Sequence, residues 1–337
     1  MNPSRGIIDS DKLITKMRDR IFNSREKKFL ISDMSSSKEE KDEYTISNCD
    51  GMGRVRIFSN FKLHGGALDE IERNRIQRIL LSNYPTVRPV KTQVFQLSGC
   101  TWRCWYCYVD ENRLSGNPKY GKWLNCEQII DLYLNEQDRP NIIDLSGGQP
   151  DLVPEWPILM LSALEARGLD STVYLRSEDN LSNSLFRDIL SDFDIERLRN
   201  YGKYSRIGCF KGFDESSFCF NTNSNKYLYA RQFDVVQSII DCGIDFYAYA
   251  TFTGIENIGV AAKISIFLDR LQKIHHYLPL RTIILKIKKF SAWEGRGTYS
   301  SDLWSEVQST AEKAWFEQMV KRYSDAERAM KLEDIKL

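Results

Sequence analysis

The chain has 337 residues, of which 42% are hydrophobic and 12% aromatic, so it can bury a core of one large or two ordinary domains and is not globally disordered. Lys and Arg (47) balance Asp and Glu (46). The net charge of +1 gives no dominant attraction to nucleic acid or to a membrane, although local patches leave nucleic acid open as a partner. The sequence has no apolar run of membrane-spanning length and no signal-peptide core. Eight cysteines in such a chain are typical of reduced thiols and metal ligands, so we expect a cytoplasmic protein that does not bind membranes.

Residues 1–90 are predicted to form a charged N-terminal extension. Apolar residues recur at helical spacing over 11–22 and again over 68–81, and they alternate over 54–63, which predicts two helices and a strand. The charged run 35–43 predicts a solvated linker. The basic residues of the segment 12–28 would suit a nucleic-acid arm, but the interleaved acidic residues favour a solvated surface.

From residue 91 the pattern changes to short β-rich runs that alternate with amphipathic segments. The predicted strands are 92–97, 141–145, 172–175, 206–210, 245–251 and 282–287, and the predicted helices are 126–135, 155–167, 182–198, 226–241 and 258–277. Alternation of this kind predicts an α/β fold with a parallel sheet and crossover helices. Six units, two short of a full eight-fold barrel, predict a partial (β/α)6 barrel over residues 91–300.

A C-terminal helical segment is predicted for residues 301–337. The long helix pattern over 301–322 carries Trp304, Val307, Ala311, Trp315 and Met319 on one side. An aromatic stripe of this kind favours packing against the barrel. Docking of a partner protein is the alternative.

The chemistry is concentrated in a loop after the first predicted strand, where Cys100, Cys104 and Cys107 follow one another at spacings x3 and x2. Thiolates select soft or borderline metals, above all zinc and iron–sulfur clusters. A structural zinc site needs a fourth ligand, and the three histidines of the chain lie far from this loop. Three thiolates on a four-iron cluster leave one iron open to a substrate or cofactor. The spacing favours such a cubane over a structural metal site or free buried thiols.

This loop, with Tyr106 directly before the last cysteine, resembles the signature of the radical S-adenosylmethionine (radical SAM) enzymes. The resemblance implies a partial (β/α)6 barrel and a 4Fe–4S cluster on Cys100, Cys104 and Cys107. It also implies that S-adenosylmethionine is chelated by the open iron, with Tyr106 flanking the adenine. Reductive cleavage would release a 5′-deoxyadenosyl radical, with electrons from an external flavodoxin- or ferredoxin-type donor.

A second motif follows the second predicted strand, where Ser146, Gly147, Gly148, Gln149 and Pro150 come in succession. This segment is similar to the Gly-Gly-Glu-Pro element of the family, which binds the methionine amino group. Paired glycines let a backbone approach its ligand closely. Gln149 stands where glutamate is usual, and its amide can accept a hydrogen bond but brings no charge.

Polar residues at the ends of the next two strands complete the predicted site. Ser177 and Glu178 are candidates to bind the ribose and methionine groups, because ligands gather at the carboxyl ends of parallel strands. Helix capping by Asn180 or Ser182 is the alternative use of this segment. Lys211 lies in a segment that resembles the strand-Lys-Gly-x-Asp element of activating enzymes, which implies a cation for the methionine carboxylate. The alternative for Lys211 is an exposed structural lysine.

The sequence motifs leave several substrate classes open. The core most resembles the activating-enzyme-like branch, which implies hydrogen abstraction from a protein or peptide. The alternatives are modification of a nucleotide or RNA, and a non-catalytic iron–sulfur or zinc interaction protein. The loop 108–123 is predicted to be a mobile substrate lid rather than a mere shield for the cluster. The remaining cysteines are expected to be buried apolar thiols: Cys49, Cys126, Cys209, Cys219 and Cys242.

Overall fold

The computed structural model describes residues 7–42, 45–58, 90–287, 290–293, 301–330 and 334–337. Its helices are α1 (Ser10–Ile21), α2 (Cys126–Asn135), α3 (Glu155–Ala166), α4 (Leu185–Ile189), α5 (Asp192–Asn200), α6 (Glu215–Thr222), α7 (Leu228–Asp241), α8 (Val260–Ile274), α9 (Ser301–Arg322) and α10 (Asp325–Arg328). Its strands are β1 (Phe22–Asn23), β2 (Lys28–Ser32), β3 (Thr45–Asn48), β4 (Gly53–Phe58), β5 (Val90–Phe95), β6 (Gly121–Leu124), β7 (Ile142–Leu145), β8 (Tyr174–Asp179), β9 (Tyr204–Phe210), β10 (Phe246–Thr251) and β11 (Thr282–Leu285). Within these ranges, no helix combines the length and the apolar character needed to cross a membrane.

The main sheet has the strand order β11-β10-β9-β8-β7-β5-β4-β3. Every pair from β5 through β11 is parallel, and at least one helix lies between each two successive strands of this parallel section. The apolar sides of the strands and helices meet in a continuous core, in which Phe210 of β9 packs against Phe233 of α7 and Phe267 of α8. Six parallel strands with crossover helices confirm the predicted α/β partial barrel.

The predicted elements of the core recur with two differences. The predicted helix 182–198 is two helices, α4 and α5, because Leu190 is extended and Ser191 caps α5 by accepting a hydrogen bond from the backbone N–H of Asp194. The short helix α6 was not predicted, because its alternation of polar and aromatic residues shows little helical periodicity.

The N-terminal extension contributes directly to the main sheet. Strand β4 pairs antiparallel with β5, and β3 pairs antiparallel with β4. The described part of the predicted strand 54–63 is therefore confirmed, while the predicted helix 68–81 lies outside the described residues. The division at residue 90 stays a prediction, although the sheet itself runs across that point.

The described part of the segment 35–43, residues 35–42, is not the predicted solvated linker. It contains a 3-10 turn, Lys38–Lys41, in which Glu39 is only 1% exposed. The Glu39 carboxylate accepts hydrogen bonds from the Gln96 side chain (3.3 Å) and the Asp110 backbone (3.1 Å), and it lies 3.9 Å from the Arg54 guanidinium. The prediction was wrong because composition does not distinguish one buried, partnered acid from its solvated neighbours.

The loop 108–123 is packed and is not a mobile lid. Arg113 is 1% exposed and donates hydrogen bonds to the Asp33 carbonyl (2.7 Å), the Ser36 hydroxyl (3.0 Å) and the Asp110 carboxylate (3.2 Å). The loop ends in β6, which pairs with β2 in a small second sheet. The lid prediction was wrong because its buried arginine is held by the N-terminal segment.

Helix α9 packs against the barrel, as predicted, with its apolar stripe buried. The Trp315 ring lies 5.5 Å from that of Phe252, at the end of β10. The Trp304 ring lies 5.1 Å from that of Trp105 in the cysteine loop. The Gln308 side chain accepts a hydrogen bond from the backbone N–H of Ile287. The C-terminal helix therefore supports both the last strand and the cysteine loop.

Candidate active site

The cysteine loop follows β5 and is fixed by backbone hydrogen bonds. The N–H of Cys100 donates to the Leu114 carbonyl, and the N–H of Trp105 donates to the Asn221 carbonyl at the end of α6. The Arg103 guanidinium donates to the carbonyls of Cys100 (2.6 Å) and Trp102 (2.7 Å) within the loop. These contacts set the loop conformation without using the cysteine sulfurs.

The three cysteines line one cavity of about 140 Å³ at the carboxyl end of the parallel strands. The same cavity is lined by residues from the glycine turn after β7, from the ends of β8 and β9, and from β4. They include Gly147, Gly148, Pro150, Glu178, Asp179, Asn180, Cys209, Lys211 and Arg56. The structure therefore brings together groups that are more than 100 residues apart in the chain.

The donor set at this cavity fits an iron–sulfur cluster. Burial raises the pKa of Cys100 and Cys104 to about 12, so these thiols need the charge of a metal to lose their protons. Two N–H donors approach the Cys100 sulfur, the Trp102 backbone at 3.4 Å and the Asn180 amide at 3.8 Å. Hydrogen bonds of this kind stabilise a thiolate and tune the potential of a bound cluster.

The spacing of the possible metal ligands is relevant to whether this site would hold a single metal ion or a cluster. Among the described residues, no three Cys, His, Asp or Glu side chains are grouped closely enough to hold a single metal ion. Each thiolate of a cubane binds a different iron, so its cysteines stand farther apart than the ligands of one ion.

The glycine turn lies directly against the strand end that leads into the cysteine loop. Gly147 (φ +86°) and Gly148 (φ +63°) both have backbone conformations that L side chains rarely adopt. A Cβ on Gly148 would lie 2.1 Å from the Leu97 carbonyl oxygen, and one on Gly147 would lie 2.3 Å from the Gln96 side-chain oxygen. The close approach that demands glycine here is to the protein itself, to the Leu97 backbone at Gly148 and to the Gln96 side chain at Gly147.

The Gln149 side chain does not line the cavity. Its carbonyl oxygen accepts hydrogen bonds from the Thr101 backbone (2.7 Å) and hydroxyl (2.8 Å), beside Cys100. Its amide nitrogen donates to the Ser182 hydroxyl (2.7 Å) and the Asp151 carboxylate (3.3 Å). Its assignment to the cofactor stays a prediction, and its contacts indicate that it ties the cysteine loop to a buried polar network.

Asp151 is the centre of that network. Its carboxylate accepts hydrogen bonds from the Ser182 hydroxyl (2.7 Å), the Asn183 amide (2.6 Å) and the Asn180 backbone (3.2 Å). Burial, reinforced by the charge of Asp179, raises the pKa of Asp151 to about 6. Ser182 is therefore a buried network residue, and neither it nor Asn180 is used as a helix cap.

Of the two predicted residues at the end of β8, only Glu178 lines the cavity. The Ser177 hydroxyl lies 2.8 Å from that of Tyr204 and is buried away from the cavity, because successive side chains on a strand face opposite sides. Burial and the charge of Asp144 raise the pKa of Glu178, against the opposing effect of Arg56 and Arg176. Glu178 is thus an acid within the cavity that holds a proton more readily than a solvated glutamate.

The Ser146 and Tyr106 side chains occupy different positions around the cavity. Ser146 does not line it and is within 3.2 Å of the Tyr108 hydroxyl, which does. Tyr106 lines it and places its hydroxyl 3.3 Å from that of Thr251. The predicted roles of both residues toward the cofactor stay predictions. Ser146 is linked to the cavity through its contact with the Tyr108 hydroxyl.

Strand β9 directs alternate side chains, Ile207, Cys209 and Lys211, into the cavity. Lys211 is 8% exposed, so it is not the exposed structural lysine that was the alternative. The N–H of Lys211 donates to Gln232 and its carbonyl accepts from the Asn221 amide, which fixes the strand end. Its proposed binding of a carboxylate stays a prediction.

Several lining residues were not predicted as site residues, among them Cys209 and Arg56. Cys209 was expected to be a buried apolar thiol but is half-buried at the cavity; its position two residues before Lys211 on one strand was the available signal. Arg56 reaches the cavity because β4 pairs with β5, which no sequence pattern indicated. Of the other cysteines, Cys49 and Cys126 are buried as expected, whereas Cys219 and Cys242 are half-buried.

The radical SAM superfamily model matches residues 96–258, which include the cysteine loop, the glycine turn, β8 and β9. Residues 96–258 are therefore a domain of the radical SAM superfamily. Its members are enzymes that use a 4Fe–4S cluster and S-adenosylmethionine. The activating-enzyme-like branch is not confirmed.

Three solved structures of SuiB from Streptococcus suis are similar to this chain. They are SuiB bound to S-adenosylmethionine (TM-score 0.45, 11% identity, 68% of this chain and 47% of that chain), SuiB (0.41, 13%, 84% and 70%) and SuiB bound to the precursor peptide SuiA (0.35, 11%, 57% and 48%). The chain spans about half the length of the first of these. No curated protein matches the sequence significantly.

Proposed function

We propose that this protein reductively cleaves S-adenosylmethionine at a 4Fe–4S cluster and uses the radical to abstract hydrogen from a peptide or protein. The observation that carries the proposal is the single cavity shared by three cysteines, the glycine turn, Glu178 and Lys211. When bound, cluster and cofactor supply a 5′-deoxyadenosyl radical and so the difficult chemistry. An external flavodoxin- or ferredoxin-type protein would supply the electrons, and the free thiols suit the reducing cytoplasm.

The protein's own residues would bind and orient these groups. Cys100, Cys104 and Cys107 would hold the cluster, and the backbone of Gly147 and Gly148 would receive the methionine end. Lys211 would place a cation near the methionine carboxylate, because an ammonium buried in a cavity gains most from an anionic partner.

The remaining predicted residues have supporting roles. Tyr106 would flank the adenine and Glu178 the ribose. Ser146 and Gln149 would position Tyr108 and the cysteine loop, and Pro150 closes the turn where it lines the cavity. The surrounding buried aromatic side chains exclude water from the radical.

The exposed edge strand of the main sheet favours a peptide as the substrate. Among the residues that the structure describes, β3 is the last strand on its side and pairs only with β4. Ile46 of β3 is 52% exposed. An unpaired strand edge offers backbone hydrogen bonds to an extended peptide. Because the neighbouring strand β4 carries Arg56 into the cavity, a peptide held on β3 would lie beside the cavity wall.

The cofactor part of the proposal is tested on anaerobically reconstituted protein. We expect about four irons with matching sulfide per chain, and 5′-deoxyadenosine on addition of dithionite and S-adenosylmethionine. Replacement of the three cluster cysteines together by alanine should abolish the iron and the product. Stoichiometric zinc without sulfide would overturn the proposal.

The substrate part is tested with synthetic peptides encoded by the genes that flank this chain's gene. We expect one of them to change mass in a reaction that depends on S-adenosylmethionine. Ile46→Asp should weaken binding of that peptide, while Ile258→Asp, at a position 84% exposed, should not. Modification of added nucleotides or RNA, with no peptide modified, would replace the peptide proposal with the nucleotide alternative.

A further inference from the structure

A fourth sulfur lies in the cavity that holds the three cluster cysteines. Cys209 is on β9, where Ile207, Cys209 and Lys211 face the cavity while Phe210 faces the helices and packs against Phe233 at 5.0 Å. The strand register aligns Cys209 with Tyr249 of β10, which also lines the cavity. The direction of the Cys209 side chain therefore follows from the alternation of a well-packed strand.

The surroundings of Cys209 differ from those of a cysteine that only fills space in an apolar core. It is half-buried, and the Lys211 side chain, itself more than nine-tenths buried, lines the same cavity two positions farther along the chain. The Cys104 and Tyr106 side chains line this cavity as well. A thiol in the cavity where a carbon radical is to be formed offers that radical a hydrogen atom within the cavity itself.

We propose that Cys209 donates a hydrogen atom to the carbon radical formed in this cavity, an inference that rests on the proposed function and specifies its outcome. An S–H bond is weaker than an aliphatic C–H bond, so transfer from sulfur to carbon is downhill. The substrate would then regain the hydrogen that it lost, on the same or the opposite face, and leave at its original oxidation level.

The external one-electron donor of the proposed function also supplies the electron that regenerates the Cys209 thiol. The S–H bond of Cys209 breaks homolytically, a C–H bond forms on the substrate, and a sulfur-centred radical remains. One electron from the low-potential iron–sulfur or flavin donor, together with one proton from solvent, restores the thiol. A turnover then consumes two electrons: one for cleavage of S-adenosylmethionine and one for the thiol.

The test uses the whole protein without any substrate, so that the radical meets only the cavity wall. The reconstituted protein is equilibrated in D2O, so that the thiol becomes S–D, and is supplied with S-adenosylmethionine and dithionite in a buffer free of added thiols. The mass of the 5′-deoxyadenosine is then measured. The label is expressed per molecule formed, so a change in rate does not enter the result.

We expect most of the 5′-deoxyadenosine from the parent protein to carry one deuterium. Cys209→Ser and Cys209→Ala should lose most of this label, because an O–H bond is too strong to donate and alanine has no exchangeable hydrogen. Cys219→Ser and Cys242→Ser, at half-buried cysteines outside this cavity, should keep it. As a second readout, a turnover without excess reductant should deplete the free Cys209 thiol in the peptide mass spectrum.

Unlabelled 5′-deoxyadenosine from the parent protein would overturn this proposal while leaving the proposed function intact. Label that persists in both Cys209 variants would overturn it equally. Complete absence of 5′-deoxyadenosine from the parent would overturn the proposed function and, with it, the role of Cys209.

Discussion

The two sides of the cavity are built differently. On the cluster side, backbone meets backbone, since the glycine turn lies so close to the end of β5 that one added carbon on Gly148 would overlap the Leu97 carbonyl. On the opposite side, long side chains such as Arg56 and Tyr249 reach in from strands that are themselves well separated. A backbone wall is rigid and tolerates no change, whereas a side-chain wall can be altered one residue at a time. This difference suits a fixed cofactor on one side and a particular substrate on the other.

The largest effect is expected where backbone meets backbone. Gly148→Val adds a β-branched side chain at a positive φ and within 2.1 Å of a carbonyl oxygen. Strain and overpacking together should lower the free energy of unfolding by more than about 3 kcal/mol. Iron content after reconstitution should fall with it. Gly202→Ala is the matched control, because a Cβ there meets nothing within 4 Å. Parent-like iron content and stability in Gly148→Val would refute the rigid wall.

The next effect is a dependence of stability on pH through Asp151. Its folded-state pKa of about 6 is raised above the ordinary value of 3.8 by burial, so the folded chain binds this proton more tightly than the unfolded chain. The stabilisation is fully present below pH 4 and is lost as the pH rises through 6, a difference of up to about 3 kcal/mol.

This dependence is measured by urea unfolding of cluster-free protein between pH 4 and pH 8, for the parent and for Asp151→Asn. The variant should show a smaller fall in its free energy of unfolding over this interval. Asp188→Asn, at a surface carboxylate bonded to the Ser184 hydroxyl, serves as the control. Equal slopes for the parent and Asp151→Asn would show that the carboxylate stays ionised in the folded network.

Parts of the molecule that rest on local pattern were predictable, and parts that rest on distant pairing were not. The cysteine spacing and the alternation of strands and helices are local, so the fold and a loop with three cysteines at one cavity could be predicted from the sequence. Glu39 and Arg113 look like surface residues in the sequence, yet each is buried because the N-terminal segment packs against the loop 108–123. Arg56 is in the cavity only because β4 pairs with β5, after an intervening stretch of more than 30 residues.

A smaller effect is expected for Gln149, which joins the cluster side to the Asp151 network. Gln149→Ala leaves the Thr101 N–H and the Ser182 hydroxyl without this partner, which should lower the free energy of unfolding by about 1–3 kcal/mol. Gln149→Glu keeps the contact to Thr101 but places a second carboxylate beside Asp151. Its deficit should therefore exceed that of alanine at pH 8 and shrink at pH 5. A Gln149→Glu variant as stable as the parent at pH 8 would contradict this placement.

Arg56→Lys is expected to have the smallest effect on the stability of the folded protein. It is also the most direct test of whether the two walls of the cavity serve different ligands. The substitution keeps the positive charge but loses the planar guanidinium that lies over the Tyr108 ring. If the side-chain wall contacts the substrate, iron content and the Kd for S-adenosylmethionine should match those of the parent. The KM for the modified peptide should rise by about tenfold, equivalent to about 1.4 kcal/mol. Lys119→Arg, at an exposed position outside the cavity, is the control for a conservative exchange of a basic residue. A weakened Kd for S-adenosylmethionine with an unchanged KM for the peptide would place Arg56 on the cofactor and remove the division between the two walls.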